Sequence, residues 1–201
     1  MPAAPQRLAS HFFAYISRLR WIKRWGLMRN AIDENVATHS WEVATLAHAL
    51  ALIHNRLCDG QVNADRIATA ALYHDATEVI TGDMPTPVKY HSRVMREAFG
   101  DIEHKAEVEL LALLPEELRE DFSPYVRESR LADNEKQLIK AADRLSAWLK
   151  CRAEIRAGNP EFEPAEKQIR ARLEEDALPE VLYFLEVFAP GYDQPLDNLL
   201  G

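Results

Sequence analysis

Cysteine is scarce in this sequence. The two cysteines, Cys58 and Cys151, are far apart in the chain and match neither a disulfide framework nor the paired spacing of a thiolate zinc site. This scarcity favours a reducing environment, so we predict a cytoplasmic protein. It also means that any bound metal must take its ligands from histidine and carboxylate side chains.

Long apolar segments are also missing. The N-terminal stretch MPAAPQRLASHF has no apolar region of the kind found in a signal peptide. The longest apolar stretch, ATLAHALALI, is interrupted by His48 and is too short to span a bilayer. We therefore expect a soluble protein that does not enter a membrane.

Positive charge is in short supply. The chain has 24 lysines and arginines against 32 aspartates and glutamates, which gives a net charge of -8. Binding to polymeric nucleic acid depends largely on basic side chains that meet phosphates, so we expect no polymeric nucleic acid partner. A small phosphorylated ligand needs only a few local arginines or lysines and is compatible with this composition.

Helical periodicity is what the sequence does contain. Its 201 residues are 47% hydrophobic and carry no repeat, no linker and no convincing strand alternation, which predicts one all-α domain over residues 1–201. The predicted helices are a short one with Phe12, Phe13, Ile16 and Leu19, one capped by Thr38, one capped by Asn63, Val94 to Leu114, one between Pro115 and Pro124, one capped by Asp133, Pro164 to Glu175, and Pro179 to Phe188.

Three of these helices carry ionisable side chains on faces expected to be core. The third predicted helix has an inward stripe of Ile67, Ala71, His74, Asp75 and Glu78, which are spaced 4, 3, 1 and 3. An unpaired charge in a core costs roughly several kcal/mol, so buried carboxylates need partners.

A divalent cation would supply that partner. Two imidazoles and two carboxylates could bind it, from His39 on the second helix, His74 and Asp75 on the third, and Asp143 on the sixth. The His-Asp pair alone is weak support, because a buried histidine is more often a hydrogen-bonded core residue than a ligand. The complete set favours a metal site.

The order of these four residues resembles the H…HD…D pattern of the HD-domain metal-dependent phosphohydrolases, which have an all-α fold. Four segments closely resemble the bacterial HD-domain 5′-deoxynucleotidases, namely SHFFAYISRLRWIKRWGLMRN, ENVATHSWEVA, YHDATEVITGDMPTPVKY and AADRLSAWLKC. The most specific parts are Arg24-Trp25 and the GDMPTPVKY segment. Thr38 departs from the family, which often has an acidic residue there, but the four ligand positions are intact.

The resemblance implies hydrolysis of deoxynucleoside 5′-monophosphates to deoxynucleoside and phosphate with a single divalent ion. The metal ligands would be His39, His74, Asp75 and Asp143, and all of these except His74 would also contact the substrate. The ion would be cobalt, manganese or another transition metal such as zinc, iron or copper. His91 and His104 lie outside comparable helical motifs, which favours one metal.

The remaining site residues follow from the same resemblance. Arg24 would orient the phosphate, although it could belong only to a basic amphipathic turn. Glu78 could move the proton of the water or the leaving group, or it could be a solvent-facing acid. Trp25 could exclude a 2′-hydroxyl or pack in the core, and Asp83 could accept a hydrogen bond from a sugar 3′-hydroxyl. The sugar and base side would be formed by Trp25, Asp83, Met84, Pro85 and Thr86.

Two other functions compete with this one. An HD-domain enzyme that acts on a deoxynucleoside triphosphate or a signalling nucleotide would need a denser cluster of cations near the metal than Arg24, with Arg29 or Lys89, supplies. A non-catalytic helical nucleotide-binding module would have little reason to keep all four ligands. The apolar segment LPEVLYFLEVF could form a homodimer interface, or it could complete the core.

Overall fold

The computed structural model describes residues 9–199, and helices joined by turns make up most of this part of the chain. Residues 1–8, which belong to the N-terminal segment examined for a signal peptide, and residues 200–201 lie outside the described part. The helices are α1 (Phe12–Ile16), α2 (Val36–Leu57), α3 (Ala64–Leu72), α4 (Glu78–Thr81), α5 (Thr86–Lys89), α6 (Arg93–Ala112), α7 (Glu116–Val126), α8 (Asp133–Arg156), α9 (Glu163–Glu175), α10 (Pro179–Val187) and α11 (Leu196–Leu199). The predicted all-α class is confirmed.

Two long helices, α2 and α8, form the centre of the fold. They pack against each other, and α3, α9 and α10 surround them. Fully buried apolar side chains such as Val43, Leu50 and Leu145 fill the space between them. Each large apolar side chain that is fully buried contributes about 1.5–3 kcal/mol, so this core fixes the relative position of α2 and α8.

The N-terminal helix α1 belongs to a second apolar cluster. Phe12 is fully buried there with Leu110 of α6 and Val126 of α7. Pro124 was predicted to limit the fifth helix, but it lies inside α7, which continues to Val126.

Helix α2 begins earlier than predicted. Asn35, not Thr38, is its N-cap, because the Asn35 side chain accepts a hydrogen bond from the Thr38 amide at 3.0 Å. The Thr38 hydroxyl in turn accepts from the Asn35 amide at 3.3 Å, which completes a reciprocal cap. His39 therefore lies after the first turn of α2, with its side chain buried.

Two other predicted caps had different outcomes. Asn63 caps α3, as predicted, by accepting from the Arg66 amide at 2.9 Å. The prediction for Asp133 was wrong, because Ala132 is the N-cap of α8 and Asp133 is its first helical residue. The Glu135 carboxylate satisfies the Ala132 amide at 2.9 Å.

The third predicted helix does not run on to Glu78. Helix α3 ends at Leu72, and α4 begins only at Glu78. Between them the backbone hydrogen bonds change from the i→i+4 pattern to i→i+3, as in the bonds from Ala76 to Tyr73 and from Glu78 to Asp75. In such a tight turn, side chains three residues apart lie on the same side, so Asp75 and Glu78 still share a face.

The segment before α2, residues 22–35, forms a closed loop that we call the Arg24 loop. Its ends pair through the bonds from Arg24 N to Glu34 O at 3.1 Å and from Val36 N to Ile22 O at 3.0 Å. Its far side is bound to the C-terminal half of α8, where fully buried Glu154 accepts from the amides of Ala31 at 2.8 Å and Ile32 at 2.9 Å.

Two further side chains complete this attachment, and together with Glu154 we call them the Glu154 network (Lys150, Glu154 and Asn159). Asn159 donates to the Arg29 carbonyl at 2.7 Å and to Glu154 at 2.8 Å. The Lys150 ammonium donates to Glu154 and to the Ile32 carbonyl. The Arg24 loop is thus fixed to the core although it has little regular structure of its own.

The C-terminal apolar segment has two faces. Val181, Phe184 and Leu185 of α10 are buried in the main core, whereas Leu182 and Val187 are exposed. The segment therefore completes the core. Its exposed outer face is where the predicted homodimer interface would form, and the homodimer stays a prediction. None of the helices described between residues 9 and 199 is both long and apolar enough to cross a bilayer.

Candidate metal centre

Four ionisable side chains from three distant parts of the sequence meet at one point. His39, His74 and Asp143 each offer a potential ligand atom, and these three atoms all lie within 4.8 Å of one another. The Nε2 atom of His39 is 3.0 Å from Asp143 Oδ1. Asp75 completes the set, because its Oδ2 is 3.1 Å from His74 Nε2 and 3.5 Å from His39 Nε2. The structure thus brings together all four residues predicted as metal ligands.

Three separate elements supply these residues. His39 comes from α2, Asp143 from α8, and the His74-Asp75 pair from the tight turn after α3. Asp143 was predicted to lie in the core, but its side chain is 42% exposed, so that prediction was wrong. The packing of α2 on α8 leaves Asp143 at the edge of the contact, where an incoming ligand can reach it.

Hydrogen bonds at the Nδ1 atoms fix the tautomers of both histidines. His74 Nδ1 is 2.7 Å from the Ala71 carbonyl, which can only accept, so this nitrogen carries the proton. Ser146 donates its hydroxyl to Glu42 at 2.6 Å and therefore accepts from His39 Nδ1 at 3.1 Å. When the rings are neutral, the lone pair of each therefore lies on Nε2, which faces the carboxylates.

The two Nε2 atoms fit a cation. Each is buried, and neither makes a well-aligned hydrogen bond among residues 9–199, although a carboxylate oxygen lies 3.0 Å from His39 Nε2 and 3.1 Å from His74 Nε2. A buried polar atom without a partner is rare, and histidines that bind metals commonly donate their other ring N–H to a carbonyl or another acceptor. The donor set, two imidazoles and two carboxylates, suits a divalent transition metal.

The electrostatics at the two histidines favour positive charge. Burial lowers the pKa of His74, but the negative charges of Asp75 and Asp143 outweigh burial and raise that pKa to about 9. Burial also lowers the pKa of His39, but the nearby carboxylates of Asp143 and Glu34 outweigh burial and raise that pKa. A metal ion and protons would compete for these nitrogens.

Arg24 lies beside the centre. Its Nη1 donates to Asp75 Oδ2 at 3.2 Å, and its Nε is 3.3 Å from Glu34 Oε1. Burial raises the pKa of Asp75, but His74 and Arg24 outweigh it and hold that pKa well below its usual range. Asp75 is therefore a carboxylate that contacts both a metal-ligand candidate and the arginine.

Glu78 and Asp83 form a second acidic group next to Arg24. Burial and the charges of Asp75 and Asp83 raise the pKa of Glu78 to about 9, so this side chain is protonated at neutral pH when no metal is bound. Burial also raises the pKa of Asp83, while Arg24 opposes the rise. The other predicted loop residues follow directly, with Met84 and Pro85 half-buried and Thr86 exposed at the start of α5.

Trp25 packs against its surroundings, as one of its two predicted roles requires. Its indole ring packs 5.3 Å from the Phe162 ring, and its Nε1–H donates to Glu34 Oε2 at 2.9 Å. The residue is half-buried, and its backbone φ is 58°, in the left-handed region that a tryptophan seldom adopts.

Three residues around the centre were missed from the sequence. The His39 ring is contacted by Glu34 and Ser146. Glu42 is linked to it through the Ser146 hydroxyl. Ser146 did give a signal, because it is a polar residue within the buried stripe of α8. Glu34 precedes the cap of α2, where sequence alone does not distinguish it from a surface acid.

Comparison with known proteins decides the family. The family described as "5′-deoxynucleotidase YfbR-like" matches residues 11–192 of this chain. The chain belongs to this family. A YfbR 5′-deoxynucleotidase of Escherichia coli is 50% identical over 190 residues, which cover 94% of this chain and 96% of the relative. As the sequence motifs predict, the chain is a metal-dependent phosphohydrolase of the YfbR-like 5′-deoxynucleotidase class.

Two solved structures share the fold at lower identity. An HD-domain phosphohydrolase from Listeria innocua aligns with a TM-score of 0.78 at 24% identity, covering 90% of this chain and 88% of that one. The cyanophage S-2L HD phosphohydrolase DatZ, bound to dA and one catalytic Zn²⁺, aligns with a TM-score of 0.61 at 20% identity, covering 90% of this chain and 96% of that one. Both support the HD-domain fold of this YfbR-like chain.

Proposed function

We propose that His39, His74, Asp75 and Asp143 bind one divalent transition metal ion, and that the protein hydrolyses deoxynucleoside 5′-monophosphates to deoxynucleoside and phosphate at this centre. The observation that carries the proposal is the pair of buried Nε2 atoms that face two carboxylates at 3.0 and 3.1 Å without a well-aligned hydrogen bond to them. Two aspartates balance the charge of one such ion.

A bound divalent ion would polarise a phosphoryl oxygen and acidify a coordinated water. Cobalt, manganese, zinc, iron and copper all suit the ligand set. The single catalytic Zn²⁺ of the cyanophage neighbour supports a count of one. The two other histidines considered as ligands also support it, because His91 is exposed and the exposed His104 is 3.3 Å from Glu107.

Arg24 is the proposed phosphate-orienting residue. Its guanidinium is 14% exposed and contacts Asp75, so it lies next to the position that a phosphate would take beside that carboxylate. A guanidinium presents its N–H donors in a planar fork that matches phosphate oxygens, which a lysine cannot reproduce.

Glu78 is the proposed proton donor to the leaving 5′-oxygen. Its raised pKa keeps a proton on the carboxyl group at neutral pH in the metal-free protein, and its Oε2 is buried without a hydrogen-bond partner among the described residues. Asp83 would accept a hydrogen bond from the sugar 3′-hydroxyl, with Met84, Pro85 and Thr86 beside the sugar and base. Trp25 would occupy the space that a 2′-hydroxyl needs.

The surrounding charges favour a monophosphate over a triphosphate. Lys89 donates to Glu103 at 2.8 Å, and Arg29 is 83% exposed and faces Glu161 at 3.8 Å. Each is paired with an acid, and neither forms an ion pair with a proposed ligand residue in the described structure. Arg24 remains the cation that contacts a proposed ligand residue.

A phosphate-release panel tests this function. Deoxy- and ribonucleoside 5′- and 3′-monophosphates are each incubated with Mg²⁺, Mn²⁺, Co²⁺ or Zn²⁺, and we expect 5′-deoxynucleotides to be favoured over ribonucleotides by about 10- to 100-fold in kcat/KM. If pyrophosphate or tripolyphosphate were released from deoxynucleoside triphosphates faster than phosphate from the monophosphates, the triphosphates would be the preferred substrates and the proposed substrate class would be wrong. No phosphate release with any of the four metals would refute the proposed activity.

Ser146→Ala is expected to weaken metal binding by about 10- to 100-fold, because it removes the hydroxyl that accepts from His39 Nδ1 and so orients the ring. The dissociation constant is measured by competition with a chromogenic chelator. The matched control is Ser40→Ala, since buried Ser40 follows His39 directly and its hydroxyl has no partner among the described residues. Equal metal affinities in the two variants would contradict the orienting role of Ser146.

A further inference from the structure

We infer that Glu34 is a positioning residue whose single carboxylate fixes Arg24, Trp25 and His39 relative to one another, and so joins the metal side of the centre to its substrate side. This inference rests on the proposed function, because it assigns Glu34 a task toward residues that would contact the phosphate, the sugar and the metal. Glu34 itself reaches none of the reacting atoms in this arrangement.

The carboxylate of Glu34 meets three functional side chains at once. Its Oε1 is 3.3 Å from Arg24 Nε and 3.3 Å from His39 Nδ1. Its Oε2 accepts the indole N–H of Trp25 at 2.9 Å. The Glu34 side chain is 12% exposed, so these contacts are largely shielded from water and are stronger than they would be at the surface.

The backbone places Glu34 opposite Arg24. Arg24 N donates to Glu34 O at 3.1 Å, next to the antiparallel bridge between Lys23 and Asn35. The side chains of Arg24 and Glu34 therefore start from paired positions, and the Nε contact follows from this pairing. This short ladder continues directly into the cap of α2, on which His39 lies.

Trp25 needs such a partner. A non-glycine residue at φ 58° costs about 1–3 kcal/mol, and it keeps this conformation only where surrounding contacts fix it. The Glu34 contact and the packing on Phe162 restrain the side chain, while Asn30 donates to the Trp25 carbonyl at 3.3 Å. Releasing the indole would allow the Arg24-Trp25 pair to relax away from the centre.

Glu34 also has a part in the orientation of His39. The Nδ1 proton of His39 has two acceptors, Ser146 Oγ at 3.1 Å and Glu34 Oε1 at 3.3 Å. A carboxylate near Nδ1 increases the electron density available at Nε2 and so strengthens a metal ligand. Loss of the charge on Glu34 should therefore change both the metal affinity and the use of substrate.

Glu34→Gln tests the inference, because glutamine keeps the volume and an oxygen acceptor for Trp25 but removes the charge that faces Arg24 and His39. With the full chain at saturating metal, we expect KM for dAMP to rise about tenfold, which is the loss of roughly 1.4 kcal/mol of binding. Metal affinity, measured without substrate by chelator competition, should fall about tenfold. Circular dichroism and thermal unfolding report whether the variant is folded.

The matched control is Glu161→Gln. Glu161 also contacts the Arg24 loop, where its Oε1 accepts from the Arg29 amide at 3.2 Å, but it forms no hydrogen bond or ion pair with Arg24, Trp25 or His39 in the described structure. This variant should leave KM for dAMP unchanged at saturating metal. If both variants raised KM equally, the link between Glu34 and the substrate side would be overturned.

A double-mutant cycle separates positioning from general stability. In an Arg24→Ala background, Glu34→Gln should raise KM by less than twofold, because Glu34 then has no guanidinium to place. A full tenfold rise in that background would overturn the inference. A second variant, Glu34→Asp, keeps the charge but withdraws it by one methylene, and values identical to wild type in both KM and metal affinity would also overturn it.

Failure of the proposed function would be visible separately. If the wild-type protein released no phosphate from dAMP, the activity would be refuted while chelator competition still measured the contribution of Glu34 to metal binding. A tenfold loss of affinity in Glu34→Gln would then support its position at His39. An unchanged affinity would overturn that part as well.

Discussion

Replacing Asp75 with asparagine is expected to lower kcat/KM for deoxynucleoside monophosphates by about 10³-fold, because the carboxylate serves the metal ligands and the arginine together. Its Oδ2 lies 3.1 Å from His74 Nε2, 3.2 Å from Arg24 Nη1 and 3.5 Å from His39 Nε2. Asparagine has nearly the same shape but no charge. The measurement is steady-state phosphate release, with metal content determined on the same preparation.

Asp33→Asn is the matched control for this prediction. Asp33 lies on the Arg24 loop and pairs with Lys23 at 3.0 Å, but both side chains are largely exposed. Exposed pairs of this kind contribute little, so activity and metal content should stay at the wild-type level. If Asp75→Asn kept more than a tenth of wild-type activity with metal bound, Asp75 would not be a ligand that the reaction needs.

Replacing Glu154 with alanine is expected to lower the free energy of unfolding by about 3–5 kcal/mol, because it leaves the buried Lys150 ammonium without its counter-charge. The same change removes the acceptor for the amides of Ala31 and Ile32. Urea or guanidinium denaturation measures the loss. Adding Lys150→Met to this variant should recover part of the stability, since the unpaired charge is then gone.

Glu174→Ala is the surface counterpart of this substitution. Glu174 pairs with Arg170 one turn earlier on α9 at 2.8 Å, and its side chain is 53% exposed. We expect the free energy of unfolding to change by about 0.5 kcal/mol or less. Similar losses in Glu174→Ala and Glu154→Ala would mean that the Glu154 network adds no more than an exposed pair.

The Glu154 network also predicts a dependence of stability on pH. Burial raises the pKa of Glu154, but Lys150, Asn159 and the two loop amides outweigh it and lower that pKa to about 2. Because the folded-state pKa is below the ordinary value of 4.5, the stabilisation is fully present above that value and is lost as the pH falls toward about 2. Glu154→Gln should lose less stability than wild type over this range.

Helical periodicity predicted most of the fold because each long helix buries one apolar face. The buried stripe of α8 and the position of His39 on α2 were found in this way, whereas Asp143, assigned to the same stripe, is 42% exposed. The prediction failed between His74 and Glu78, where the chain leaves the α-helix. There the His74 ring bonds to the Ala71 carbonyl, and the backbone changes to i→i+3 hydrogen bonds. A 3.6-residue hydrophobic period predicts neither of these features.

The four proposed ligands could be predicted because ionisable side chains at the positions of an apolar helical stripe conflict with the pattern around them. The residues that orient these ligands could not be predicted from the sequence. Ser146 and Glu42 are 104 positions apart and meet only when α8 packs on α2. Glu34 becomes informative only after the Arg24 loop closes on itself, which is a tertiary event. Arg24 and Trp25 were identified from family resemblance, because a basic turn in the sequence does not by itself show which site it contributes to.

The attachment of the Arg24 loop to Glu154 has a consequence for how a nucleotide reaches the centre. The amides of Ala31 and Ile32 belong to no helix or strand, yet they bond to a carboxylate that is fully buried on α8. They should exchange with deuterium more slowly than other loop amides, because releasing them leaves a buried carboxylate without two of its hydrogen bonds. This part of the Arg24 loop is therefore held rigid, so a nucleotide would meet the Arg24-Trp25 side of the proposed site already formed.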